Sequence, residues 1–85
     1  MKLYRSNQIY AVVHVINRAR MKLETEGIKP KRIRLSPNAH EMLVKELNKR
    51  DGKKHVRVYE IMGMTVDIED ECPAGTGYIE GEDEG

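Results

Sequence analysis

The apolar pattern of the 85-residue chain switches from a helical period to a period of two at His55, and that switch restricts the folds open to it. Ile9, Val12, Val13, Ile16, Ala19 and Leu23 recur at steps of three and four, which puts them on one helical face. Ala39, Met42, Leu43, Glu46 and Leu47 do the same further on. From His55 the period becomes two. Val56 and Val58 alternate with Arg57 and Tyr59, and Met64, Val66 and Ile68 alternate with Thr65, Asp67 and Glu69. Helices followed by paired strands point to an α+β domain.

Punctuation residues set the expected boundaries. Ser6 is a candidate N-cap for the first helix and Gly27 its stop, with Arg18, Arg20 and Lys22 suited to the carbonyl end. A strand over Tyr10–Ile16 is the competing reading, because Val12, Val13, Val15 and Ile16 are β-branched, so residues 8–24 stand open between helix and partial strand. Pro30 is expected to turn the chain, and Arg32–Leu35 reads as a short strand. Ser36-Pro37 caps and opens the second helix, which Asp51-Gly52 closes. Met62-Gly63 marks a hairpin or a bend between strands, and Tyr78–Glu80 a last short strand. The expected order is α-β-α-β-β-β, with two helices packed on one face of a small, largely antiparallel sheet. The other face, bearing Thr65, Asp67 and Glu69, stays in water. Residues 1–80 are expected to form a single domain and residues 81–85 an acidic solvated tail.

Composition removes several function classes. The chain has no Phe and no Trp, so its core must come from Val, Ile, Leu and Met. The lone Cys72 offers no internal disulfide. No apolar run is long enough to span a membrane, and the N-terminal stretch is broken by Arg5, Asn7 and His14 before a signal sequence forms. A cytoplasmic protein is therefore expected.

No motif supplies catalytic chemistry. His14, His40, His55 and Cys72 are donors without metal-ligand spacing. Asp67, Glu69, Asp70 and Glu71 do not alternate around a central glycine as a calcium loop requires. Asp70 and Glu71 would raise the Cys72 thiol pKa, against a nucleophilic role. Gly75-Thr76-Gly77 lacks the Lys-Ser/Thr pair of a phosphate loop. The expectation is a protein without enzymatic activity, cofactor or metal.

Charge is the remaining signal. The formal net charge is only +1, yet residues 1–54 hold 14 Lys/Arg against 5 Asp/Glu, and residues 55–85 hold 1 against 9. Two surfaces follow as candidates. Arg18, Arg20, Lys31, Arg32 and Arg34, joined by Lys22, Lys29, Lys49, Arg50, Lys53 and Lys54 if the elements converge, would bind phosphate backbones. Asp67, Glu69 and Glu71 would meet a protein. The two halves can equally attract each other within one molecule, or between copies in a homo-oligomer.

One resemblance accompanies these readings. Ile33-Arg34-Leu35-Ser36-Pro37, the helix to Asp51-Gly52, Ile61-Met62-Gly63-Met64-Thr65-Val66 and Cys72-Pro73-Ala74-Gly75-Thr76-Gly77-Tyr78-Ile79 follow one another in order. Over about residues 32–80 this resembles a strand–helix–strand piece in the core of tailed-bacteriophage major capsid proteins, with its G-x-x-V strand and P-x-G-T turn. It is equally similar to short uncharacterised reading frames of phage genomes. The chain is far shorter than a complete capsid subunit, so the resemblance implies a small phage protein in the host cytoplasm that binds a host or virion protein, or assists assembly. It marks a fold element and implies no site residue. Protein interaction is the leading expectation and nucleic-acid binding the alternative.

Overall fold

In the computed structural model, residues 3–5, 8–10 and 12–83 are described. The elements run β1 (Leu3–Arg5), β2 (Ile9–Tyr10), α1 (Val13–Thr25), β3 (Ile28–Leu35), α2 (Pro37–Asp51), β4 (Glu60–Ile61), β5 (Met64–Ile68) and β6 (Thr76–Asp83). The sheet order is β1-β6-β3-β5-β4, with β2 also on β6. All pairs are antiparallel except β3 with β5, which α2 connects as a parallel crossover. The chain is an α+β domain with both helices on one face of a mostly antiparallel sheet, as the change of period predicts.

The core lies between that face and the helices. Ile33 and Leu35 of β3, Ile79 of β6 and Met64 and Val66 of β5 meet Ile16 and Leu23 of α1 and Ala39, Leu43 and Val44 of α2. All are aliphatic or Met, as a chain without Phe or Trp requires.

Helix α2 begins and ends where Ser36-Pro37 and Asp51-Gly52 predict. The Ser36 hydroxyl accepts from the Ala39 N–H at 3.0 Å, Pro37 sits in the first turn, and Gly52 ends the helix at φ 70°. Ser36 is also the junction between layers. Its hydroxyl accepts a second bond from the Gly75 N–H at 3.1 Å, and its own N–H donates to the Thr76 carbonyl at 3.0 Å. Thus one buried side chain starts α2 and holds the turn that leads into β6. The Met62-Gly63 hairpin is also present, with φ positive at both residues (50° and 79°), as a two-residue type I′ turn needs.

Four boundaries differ from expectation. Helix α1 starts at Val13, because Val12 is extended and Ile9–Tyr10 pairs with β6; Ser6 lies outside the described residues. The first amide of α1 is satisfied from α2 instead: the Val13 N–H donates to Glu46 Oε1 at 3.1 Å. Pro30 lies inside β3 rather than in a turn, beside a register shift before Arg32 that accommodates its missing N–H. Residues 56–58 alternate but form no strand. Strand β6 runs from Thr76 through Gly81, Glu82 and Asp83, so these three belong to the sheet and not to a tail. Its length depends on glycine: a Cβ on Gly77 would stand 2.3 Å from the Arg34 carbonyl oxygen.

Two substitutions test this junction by denaturant unfolding. Ser36→Ala orphans the buried Ala39 amide and the half-buried Gly75 amide and is expected to cost about 1–3 kcal/mol. Gly77→Ala is expected to destabilise by at least as much through backbone displacement of β3.

Candidate functional site

The open face of the sheet brings the two charged halves of the chain together. Strand β3 lies between β5 and β6, and its outward residues register with acidic positions on both sides: Arg32 opposite Glu80, Arg34 opposite Asp67. The Arg32 Nε is 3.1 Å from Asp67 Oδ2. The Arg34 Nε donates to Glu80 Oε1 at 3.0 Å, and its Nη1 stands 3.7 Å from Glu69 Oε2. Glu80 is 7% exposed, so this contact is shielded from solvent. Partial burial alone would lower the Arg34 pKa, but the hydrogen bond and charge of Glu80, with Tyr78 and Asp67, raise it above the ordinary guanidinium value. The face is therefore an acid–base–acid lattice.

The residues singled out from sequence divide accordingly. Arg32 and Arg34 are paired with Asp67 and Glu69, members of the expected protein-binding set. Lys31 is exposed beside them at the β3 irregularity, and Glu71 is exposed in the turn after β5. Arg18 and Arg20 are on α1, on the opposite side of the sheet. Arg20 bonds Glu24 and Asn17, while Arg18 and Lys22 flank a shallow groove with Ile9, Val15 and Ala19. The basic set thus does not form one surface. The structure splits it between two layers and pairs Arg32 and Arg34 with carboxylates, while Lys31 stays exposed.

Residues 49–59 carry a second group of exposed side chains. Lys49, Arg50, Lys53 and Lys54 are all exposed at the end of α2 and just beyond it. Val56 is 90% exposed and Tyr59 71%, the two most exposed large apolar side chains among the described residues. The segment has no regular structure after α2, but side chains fix it in place. Asn48 spans the His55 peptide, with Oδ1 accepting from the His55 N–H at 2.6 Å and Nδ2 donating to the His55 carbonyl at 3.1 Å. Asp51 accepts from the Lys53 N–H at 2.9 Å and contacts the His55 ring at 2.8 Å. The His55 contact, then the Lys53 amide, hold the Asp51 carboxyl below the usual range. Buried His40 accepts the Val58 N–H on Nε2 at 3.1 Å. Arg57 donates to the carbonyls of Val58 and Val66 and stacks over the Tyr59 ring at 4.9 Å. Its guanidinium so covers part of the outer edge of β5.

This loop was hidden in the sequence by its own alternation. Val56-Arg57-Val58-Tyr59 reads as a strand, but Val58 gives its amide to a histidine rather than to a ladder. The available signal was Asn48 ahead of Asp51-Gly52, polar groups able to bond the backbone just beyond a helix.

Among the described residues no three His, Cys, Asp or Glu side chains converge to hold a metal ion. Cys72 is half-buried in the turn before β6. No helix among the described residues is long and apolar enough to cross a membrane. No family model matches the chain, nor does any curated protein or any solved structure.

The His40 contact predicts a stability that depends on pH. Burial, then the positive charge of Arg57, holds the His40 pKa below its ordinary value. The unfolded chain therefore takes up this proton first, and the stabilisation is complete above the unfolded value of 6.5 and lost as pH falls through the lower folded value. Unfolding free energy should drop between pH 7.5 and pH 5 in the parent protein. It should drop less in His40→Gln, whose amide oxygen can still accept the Val58 N–H. Equal slopes would rule out His40 as the titrating group.

Proposed function

We propose that the protein is a non-enzymatic protein-interaction module that contacts its partner through residues 49–59. The observation that supports this most is the exposure of Val56 and Tyr59 on a loop held by buried His40 and half-buried Asn48. A loop fixed on a rigid scaffold loses little freedom on binding, and Tyr and Arg are residue types that anchor protein interfaces. The pairing of Arg32 and Arg34 with carboxylates argues against the alternative, a phosphate-binding face over residues 18–34.

The phage reading rests on the Gly63–Val66 strand and the Pro73–Thr76 turn. Under it the partner is a host or virion protein, met in the cytoplasm of a bacterial host, with an accessory role in assembly as the variant of the same idea. Comparative capture tests the contact surface. Immobilised parent protein is expected to retain a specific protein from host lysate, and the folded variant Val56→Asp/Tyr59→Ala to release it. An identical set of retained proteins for both would exclude residues 49–59 as the contact.

A further inference from the structure

We infer that the partner of this loop presents an acidic, extended peptide segment that also carries aliphatic side chains. The inference rests on the reading of residues 49–59 as a protein contact and narrows it to a chemical class.

The first ground is where positive charge survives folding. Arg20, Arg32, Arg34, Lys45 and Arg50 each have a carboxylate within ion-pair distance. Lys49, Lys53 and Lys54 have none among the described residues, and neither do Arg18, Lys22, Lys29, Lys31 and Arg57, but the first three are exposed, close together in the chain, and next to Val56 and Tyr59. The nearby acids are engaged: Asp51 by the Lys53 amide and the His55 ring, Glu46 by Arg50 and the first amide of α1. The C-terminal end of α2 therefore carries Lys49, Arg50, Lys53 and Lys54 with its local carboxylates already committed. A clustered positive field of this kind speeds encounter with an acidic partner.

The second ground is the exposed apolar pair in the same segment. Val56 and Tyr59 lie five residues or fewer from Lys54 in the chain and are the most solvent-exposed of the large apolar side chains among the described residues. A nucleic acid would answer the lysines but offers no aliphatic surface to Val56. A peptide with an aliphatic residue at every third position among acids answers both, since successive side chains of an extended chain point to opposite faces and a repeat of three puts acidic and aliphatic side chains on each of them. One face of the Tyr59 ring is already stacked by Arg57, which holds the ring in place as an anchor.

The test uses the full chain and fluorescence anisotropy with a labelled peptide of repeated Asp-Leu-Glu triplets. Three comparison probes are used: the peptide with Asn and Gln for its acids, the peptide with Ser for Leu, and a single-stranded oligothymidylate of equal charge. The acidic-aliphatic peptide is expected to bind at least about tenfold more tightly than each of them. Lys53→Gln/Lys54→Gln should remove most of that advantage while leaving the unfolding midpoint nearly unchanged, because both side chains are exposed, make no ion pair among the described residues, and neutral replacements put no like charge beside Asp51. Absence of peptide binding, equal binding of the Ser or amide probes, or tighter binding of oligothymidylate would each overturn the inference. Loop-dependent protein capture that persists without acidic-peptide binding would reject the acidic partner class alone. Capture indifferent to Val56 and Tyr59 would reject the contact surface itself.

Discussion

Strand β3 has to satisfy two opposite environments, and the rest of the molecule is arranged around it. Ile33 and Leu35 are fully buried against the helices, while Arg32 and Arg34 stand on the other face. Arg34 is only partly exposed and its partner Glu80 is buried, and charge held away from water is costly without a partner. Strands β5 and β6, drawn from the acidic third of the chain, provide partners on both sides. The two parts of the sequence thus meet across the sheet at Arg32 and Arg34, while the cations at the end of α2 remain exposed.

That arrangement depends on how the connections are fastened. Ser36 joins the end of β3, the start of α2 and the turn before β6 through three hydrogen bonds. Glu46 does the same between the helices, bonding the first amide of α1 and Arg50 of its own helix. Loop 53–59 is held against β5 by His40, Asn48 and Arg57. In each case a polar side chain supplies what a short domain lacks in core volume. The consequence for function is that a non-regular, cationic segment stays ordered while exposing Val56 and Tyr59.

Elements whose signals are local were legible in the sequence. The Ser36-Pro37 cap, the Asp51-Gly52 stop, Gly27 at φ 79° and the Met62-Gly63 turn each depend on a few adjacent residues. So did the alternation of β5, which puts Met64 and Val66 inward and Thr65 and Asp67 outward. The misread boundaries depend on distant partners. The start of α1 is set by Glu46 from another helix, which appears in the sequence only as a polar residue on an apolar face. The full length of β6 follows from pairing with β3 down to Ile28–Asp83, where composition alone suggests a solvated end. Of the expected site residues, Asp67 and Glu69 lie beside Arg32 and Arg34, so two surfaces expected to meet partners meet each other. Lys49, Arg50, Lys53 and Lys54 were visible as cations, but their separation from β3 required the three-dimensional arrangement of α2.

A double-mutant cycle on Arg34 and Glu80 tests the account most directly. Arg34→Met, Glu80→Met and the combined variant would be compared with the parent by denaturant unfolding. The charge-compensated sheet predicts that each single change destabilises the protein, and that the double change costs less than their sum by about 1–2 kcal/mol. Strictly additive effects, with no coupling between the two positions, would contradict it.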